Sequence, residues 1–183
     1  MSQKDYTNKE KKYLLELARK SIIESRLNNI QVPYKSLKEK RGVFVTIEKN
    51  GELRGCIGFI DPIMPIFEAV NECAYSAAYR DRRFAPVKEN EIKSLKIAIS
   101  ILTKPKKLEY KDSKDLLSKI KGNEGVILKK GPIHSTFLPQ VWHDLPNKED
   151  FLNNLSLKAG LDMDEWKKGN LDFEIYHAIK FAE

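Results

Sequence analysis

The most unusual string in the sequence, Leu53-Arg54-Gly55-Cys56-Ile57-Gly58, holds a cysteine between two glycines. Glycines inside a strand mark the close approach of a backbone or a ligand, and here they leave Cys56 thinly surrounded. Arg54 lies on the same face, about 7 Å along the strand, where a guanidinium favours the thiolate over the thiol. The functional interpretation is a nucleophile, a redox-sensitive thiol or a thiolate ligand. The structural alternative is a small buried residue where a helix crosses the sheet.

Three histidines are available to a cysteine-based catalytic centre, but no spacing marks any of them as its base. His177 lies on an alternating apolar stretch, His134 precedes Ser135 on a short strand that could reach a cleft, and His143 stands apart. A Cys-His-acid triad therefore has only weak support. No cysteines or histidines stand at the short spacing typical of metal ligands, so we predict no metal and no cofactor.

A run of charged residues, Arg80-Asp81-Arg82-Arg83, follows the predicted end of a helix. Its guanidinium groups suit a phosphate or a carboxylate ligand. The structural alternative is that cations near a helix C-terminus are favoured by the helix dipole while Asp81 pairs locally.

The lysines of residues 104–130, with Tyr110 available to stack on a base, raise nucleic acid as a partner. A solvated lysine-rich surface is the simpler interpretation, because this segment lacks the arginines and interleaved aromatics of a nucleic-acid interface.

Local signals predict the elements that must position these residues. Thr7 and Glu10 form a capping box that starts a first helix. Asn50-Gly51 matches a tight type I′ turn, which would join an alternating strand from Val43 to Ile47 to a return strand from Glu52 to Ile60.

Further patterns predict a mixture of helices and strands along the rest of the chain. They are a helix at about Pro65–Tyr79, a strand at Leu95–Ile101, short helices at about Ser113–Ile120 and Met163–Lys168, strands at Gly125–Lys129 and His134–Phe137, a helix capped by Asn147 that ends before Gly160, and one last strand from Leu171 to Phe181. Because these elements do not alternate as regular βαβ units, we predict an α+β fold, with a mainly antiparallel sheet flanked by helices.

Composition narrows the class of protein further. The chain has 183 residues, a formal net charge of +7 and only two cysteines. A chain of this length can form a hydrophobic core without stabilising disulfides or metals, and two cysteines exclude a disulfide framework. No apolar run has the length of a membrane span, and the first residues do not read as a signal peptide. We therefore expect a cytoplasmic globular protein, with its basic excess in residues 1–41 and 104–130.

Five blocks, in order, resemble the AMMECR domain family. Phe44-Val45-Thr46 leads to the complete six-residue signature, LRGCIG, which here is Leu53–Gly58. The other four blocks are Asp81-Arg82-Arg83-Phe84 (with Arg82 where the family has proline), Ile99–Pro105, Thr136–Trp142 and Lys158–Leu161. Because the match covers nearly the whole chain, the sequence is identified as a member of this family.

The resemblance implies a single AMMECR-type domain over residues 1–183, built as two unequal subdomains with a cleft near the signature. Residues 104–130 would form part of a smaller basic lobe. The resemblance also groups the motif residues into one candidate site. Its candidate catalytic residue is Cys56, and its candidate binding residues are Arg54, Gly55, Gly58, Asp81, Arg83, Thr136 and Gln140.

The resemblance supplies no established reaction, but it implies an association with a MEMO protein and a radical-SAM protein. Our first hypothesis is a cytoplasmic adaptor or regulatory partner of that system, whose cleft binds an anionic small molecule or peptide. The second is an enzyme that uses Cys56 as a nucleophile or redox thiol. The third is a regulatory module that binds nucleic acid, while a membrane partner is not expected.

Overall fold

The computed structural model describes residues 6–183, which divide into two compact units. The first unit runs to Thr103 and also takes in Ile179–Glu183, whereas the second unit comprises Lys104–Ala178. Each unit combines helices with its own four-stranded sheet. The predicted α+β class and the two unequal parts are therefore confirmed.

Helices and strands alternate irregularly along the chain. The α-helices are α1 (Asn8–Ile23), α2 (Ile66–Tyr79), α3 (Ser113–Lys119) and α4 (Lys148–Lys158). The strands are β1 (Val43–Lys49), β2 (Glu52–Phe59), β3 (Leu95–Leu102), β4 (Lys106–Lys107), β5 (Gly125–Lys130), β6 (Ile133–Phe137), β7 (Asp172–Tyr176) and β8 (Ala178–Ala182). Two short 3-10 turns, Glu89–Ser94 and Pro139–His143, also carry residues of interest.

The sheet of the first unit has the strand order β2-β1-β3-β8, and β1 pairs antiparallel with both β2 and β3. One face of the sheet, which includes Val45, Ile47 and Ile99, packs into a core shared with α1 and α2. Period-two alternation sends the intervening residues, such as Thr46, to the opposite face. The candidate cysteine lies on that opposite face of β2.

The sheet of the second unit has the order β4-β7-β5-β6, with antiparallel pairing at each junction. Its core includes Trp142, whose ring stacks on Phe151 at a centroid separation of 3.7 Å, and the fully buried Phe173. Asn147 caps α4 by accepting hydrogen bonds from the Glu149 and Asp150 amides, as its position predicts.

Short-range sequence signals locate the site-bearing elements correctly. Thr7 and Glu10 form the predicted capping box of α1. Asn50 and Gly51 adopt φ angles of 55° and 84°, which the predicted hairpin turn requires. The second helix begins one residue after the predicted Pro65 and ends at the predicted Tyr79.

The prediction of one last strand from Leu171 to Phe181 is wrong. The structure breaks it at His177 into β7 and β8, which belong to different sheets. Phe173 packs into the core of the second unit, whereas Phe181 packs against the core of the first. Alternation of apolar residues has the same period in both strands, so it does not reveal that the chain changes sheets.

Candidate functional site

Cys56 lies on β2 directly opposite Thr46 of β1, and its Sγ is 3.2 Å from the Thr46 Oγ1. The thiol is partly exposed, whereas Cys73, on α2, is fully buried. Burial raises the pKa of the Cys73 thiol to about 12. Of the two cysteines, only Cys56 is placed to meet a solute.

A bulge in the hairpin sets which residue faces the cysteine. The pairing runs from Lys49 opposite Glu52 to Glu48 opposite Leu53, and then shifts so that Ile47 faces Gly55. The extra residue on β2 is Arg54, and the shift brings Thr46 opposite Cys56 instead of Gly55. Bulges of this kind re-aim side chains next to functional sites.

The two glycines of the signature are explained by packing. A Cβ on Gly55 would lie 2.1 Å from the carbonyl oxygen of Ala77, so α2 crosses β2 at this point. A Cβ on Gly58 would lie 2.3 Å from the Phe44 ring. Both positions need glycine for contacts made inside the first unit, and the helix crossing at Gly55 is the one that the structural alternative expects.

Asp81 and Arg83 clamp the backbone of Cys56. The Cys56 N–H donates to the Asp81 Oδ2 at 2.9 Å, and the Arg83 Nη2 donates to the Cys56 carbonyl at 3.0 Å. In the described residues β2 lies at an edge of its sheet. The two side chains therefore satisfy backbone groups that would otherwise be open on that edge.

The clamp is held together by its own ion pair. Arg83 donates from Nε to the Asp81 Oδ1 at 2.9 Å and from Nη2 to Oδ2 at 2.7 Å. These hydrogen bonds hold the pKa of the Asp81 carboxyl well below its usual range, against the opposing effect of burial, and the Cys56 and Arg83 amides lower it further. Hydrogen bonding to Asp81 likewise raises the pKa of Arg83. Asp81 therefore stays ionised at all ordinary pH values.

Arg54 is engaged by a different carboxylate. Its Nη2 lies 3.2 Å from the Glu91 Oε2, while Lys49 donates to Glu91 Oε1 at 2.8 Å. Hydrogen bonds from Arg54 and Lys49 lower the pKa of Glu91 to about 2. The cation that contacts the backbone of Cys56 is thus Arg83, whereas Arg54 belongs to a neighbouring ion-pair network.

The structure brings four residues together in the first unit: Thr46, Cys56, Asp81 and Arg83, called the Cys56 cluster below. The predicted site residues Thr136 and Gln140 belong to the second unit. Thr136 lies 3.1 Å from the Tyr176 hydroxyl, and Gln140 is exposed on the Pro139–His143 turn. All three histidines also fall within the second unit's range.

The sequence does not reveal two residues: Thr46, a member of the Cys56 cluster, and Glu91, the partner of Arg54 in the neighbouring network. A regular hairpin counted from Asn50-Gly51 places Thr46 opposite Gly55, so the bulge hides its pairing with Cys56. Glu91 lies far from Arg54 along the chain, in the Glu89–Ser94 turn, and nothing local identifies it as the partner.

No group of three or more His, Cys, Asp or Glu side chains among the described residues is arranged to hold a metal ion. Among the same residues, no helix combines the length and the apolar character needed to cross a bilayer.

Comparison with known proteins gives a consistent result. A family model described as AMMECR1 matches residues 15–181. A protein of Methanopyrus kandleri is 40% identical, covering 97% of this chain and 90% of that protein, and a protein of Thermofilum pendens is 39% identical, covering 93% and 88%. The crystal structure of an uncharacterized protein from Pyrococcus horikoshii is similar with a TM-score of 0.78 and 36% identity, over 93% of this chain and 90% of that one.

Proposed function

Because the chain belongs to the AMMECR1 family, we propose that it is a cytoplasmic binding module rather than a self-sufficient enzyme. Its Cys56 cluster recognises an anionic group on a small molecule or a protein tail. Its partners are MEMO-like and radical-SAM proteins, as the family resemblance suggests, and the bound anionic group regulates that association.

The observation that carries this proposal is the fixed conformation of the Arg83 side chain. Its side chain is 56% exposed, yet Nε and Nη2 are fixed by Asp81 and by the Cys56 carbonyl. In the described part of the chain, no hydrogen bond is made by its Nη1. A guanidinium that is already ordered loses less conformational entropy when it binds a planar anion.

The charge of the cluster limits how tightly such an anion binds. Asp81 neutralises most of the charge of Arg83, so this pair by itself presents a directed donor more than a net cation. The next residue along the chain, Arg82, is exposed and adds a positive charge to the same loop. The arrangement therefore favours a carboxylate or phosphate group with Arg83 as its directed donor.

The test is ligand binding by wild type and by two matched arginine variants. Thermal melting with a panel of carboxylate and phosphate metabolites identifies a ligand, and calorimetry measures its affinity. We expect Arg83→Ala to weaken binding about tenfold or more, the usual effect of losing a hydrogen bond to a charged group. Arg80→Ala is the control, because Arg80 is also exposed but packs over Tyr75 instead of β2.

Partner capture separates the two parts of the proposal. MEMO-like and radical-SAM proteins from the same source should bind the wild-type chain and the Arg80→Ala variant, with loss of binding in Arg83→Ala. If no panel anion binds and Arg83→Ala captures the partners as well as wild type does, the proposal is wrong.

An enzyme that uses Cys56 as its nucleophile is the second candidate, supported by the partly exposed thiol beside Thr46. One feature makes it weaker: the Cys56 N–H, which could otherwise stabilise an oxyanion, is already donated to Asp81. A substrate turnover lost in Cys56→Ser but kept in Arg83→Ala would favour the enzyme.

A further inference from the structure

A cavity of about 580 Å³ lies in the first unit, between the segment that follows α1 and the first turns of α2. Its lining residues are Arg26, Leu27, Asn28, Asn29, Ile30, Phe59, Met64, Phe67, Glu68, Asn71 and Glu72, and it is called the loop cavity below. The volume lies within the range of about 300–1,000 Å³ that is usual for small-molecule sites. The loop cavity shares no residue with the Cys56 cluster.

The wall of the loop cavity is fixed by hydrogen bonds to Asn71, which is 6% exposed. Its Oδ1 accepts from the Leu27 N–H at 3.0 Å, and its Nδ2 donates to the Leu27 carbonyl at 3.0 Å. The Ser21 hydroxyl also donates to Oδ1 at 2.7 Å. Both backbone groups of Leu27 are thus tied to α2, so the cavity is preformed.

The loop that borders the cavity is also held in an uncommon backbone conformation. Ser25, Arg26 and Asn29 have φ angles of 53°, 79° and 54°, although none is glycine. Left-handed backbone at non-glycine residues costs free energy, and such residues collect at ligand sites. Here the hydrogen bonds between Asn71 and the Leu27 backbone hold the loop in this conformation.

Five of the eleven residues that line the loop cavity are apolar. Leu27 and Ile30 contribute from the loop, Phe59 from the end of β2, and Met64 and Phe67 from the start of α2. All five side chains are partly exposed while also packing against the core. They offer two aromatic rings and a flexible thioether to a planar apolar body.

The charged side chains at the cavity favour a ligand that carries a positive charge. Glu68 and Glu72 stand one turn apart on α2, where like charges repel. Glu72 is paired with Arg26 at 3.1 Å and lies 3.6 Å from Arg80. Glu68 is exposed, and no hydrogen bond or ion pair engages it within residues 6–183. Glu68 is therefore the carboxylate at the cavity that has no cationic partner among the described residues, whereas Glu72 has two.

We propose that the loop cavity binds a small organic amine, with an apolar body of about aromatic size and one protonated amino group. The body occupies the surface between Ile30, Phe59 and Phe67, and the ammonium group pairs with Glu68.

Three probes of nearly equal size test the proposal: phenethylamine, phenethyl alcohol and 3-phenylpropionate. Each is titrated into the ¹⁵N-labelled full chain while amide chemical shifts are followed. We expect phenethylamine to shift amides of residues 26–30 and 67–72 with a Kd of about 1 mM, the scale for so few atoms. The alcohol should bind about two- to fivefold more weakly, because it lacks the exposed ion pair.

Two charge variants make the result specific, with thermal melting to verify that each is folded. Glu68→Gln should lose the preference for the amine over the alcohol, and Met64→Lys should abolish amine binding by placing a cation in the cavity. Glu16→Gln is the control, since Glu16 is an exposed carboxylate on α1 that pairs with Lys12.

The proposal is overturned by any of four results. They are the absence of shifts at the cavity up to about 10 mM phenethylamine, shifts confined to other residues, binding of 3-phenylpropionate equal to that of the amine, and an amine preference that survives Glu68→Gln.

Discussion

The two cysteines show how burial separates residues of the same type. Cys73 packs inside the core with its Sγ 3.8 Å from the Val43 carbonyl, and burial raises its pKa to about 12. Cys56 lies on the opposite face of the sheet, partly exposed and beside Thr46. The reactivity of the two thiols can therefore be compared within a single sample of the protein.

We predict that iodoacetamide labels Cys56 in the folded protein at pH 7.5 and leaves Cys73 unlabelled. The thiolate is the reactive species, and with a pKa of about 12 Cys73 holds almost none of it. Mass spectrometry of digested protein measures both rates in one sample. Cys56→Ser should show no labelling until urea unfolds the chain; labelling of both cysteines at equal rates would contradict the prediction.

Asp81 gives a prediction for pH dependence. Its pKa lies below the ordinary value of 3.8, mainly because of hydrogen bonds from Arg83. A carboxyl whose pKa is lower in the folded state contributes stability that is present above the unfolded-state pKa and is lost as pH falls towards the folded-state pKa. We therefore expect Asp81→Asn to be less stable than wild type at pH 7 by about 1–3 kcal/mol.

This difference should shrink as the pH is lowered below about 4. Urea unfolding at pH 7 and at pH 3 measures it. Asp61→Asn is the control, because Asp61 is exposed. A stability difference for Asp81→Asn that is the same at both pH values would show that its charge is not responsible.

At the scale of elements, β2 is constrained on both of its faces and along its outer edge. On one face, α2 packs closely against Gly55, and on the other face Cys56 contacts Thr46. Along the edge, Asp81 and Arg83 form hydrogen bonds with the Cys56 backbone. The strand that carries the signature is therefore held by three different neighbours, and its glycines and its clamp are parts of one arrangement.

Gly55→Ala tests the contact between β2 and α2. The new Cβ would lie 2.1 Å from the Ala77 carbonyl oxygen, a backbone atom that cannot move unless the helix moves. We expect a loss of at least about 1–3 kcal/mol of unfolding free energy, the usual cost of overpacking. Circular dichroism during urea unfolding measures it. Leu53→Ala, at a position 43% exposed on the same strand, should change stability by less than about 1 kcal/mol; equal effects would contradict the prediction.

At the scale of the whole molecule, part of the basic excess behind the net charge of +7 is neutralised, because four of the nine lysines of residues 104–130 pair with carboxylates. Lys107, Lys119, Lys129 and Lys130 each pair with carboxylates of the second unit. These acidic partners come from other parts of the unit as well as from the segment itself. Local neutralisation weakens the long-range attraction that nucleic-acid binding requires.

We therefore predict that the full chain binds a 20-base-pair DNA duplex, or a single strand of the same length, more weakly than about 100 µM at about 50 mM salt. Fluorescence anisotropy measures this binding. Micromolar affinity that falls linearly with the logarithm of salt concentration, and that weakens in Lys114→Ala and Lys121→Ala, would instead support the nucleic-acid hypothesis.

Much of the fold was predictable because its signals act over a few residues. The Thr7 capping box, the Asn50-Gly51 turn and the apolar stripe of α2 each depend on neighbours within one or two turns of chain. The motif resemblance likewise reached the correct family from residues read in order. The α+β class follows from these elements together.

The sequence by itself determined the elements, the class and the family, but tertiary structure decided the partners of each chemical group. Asp81 and Arg83 meet the Cys56 backbone, Arg54 meets Glu91, and β7 and β8 enter different sheets only after distant segments pack. Periodicity reports which face of an element is apolar, whereas the partner of a polar side chain depends on contacts between residues far apart in sequence. The Cys56 cluster and the loop cavity are products of that packing.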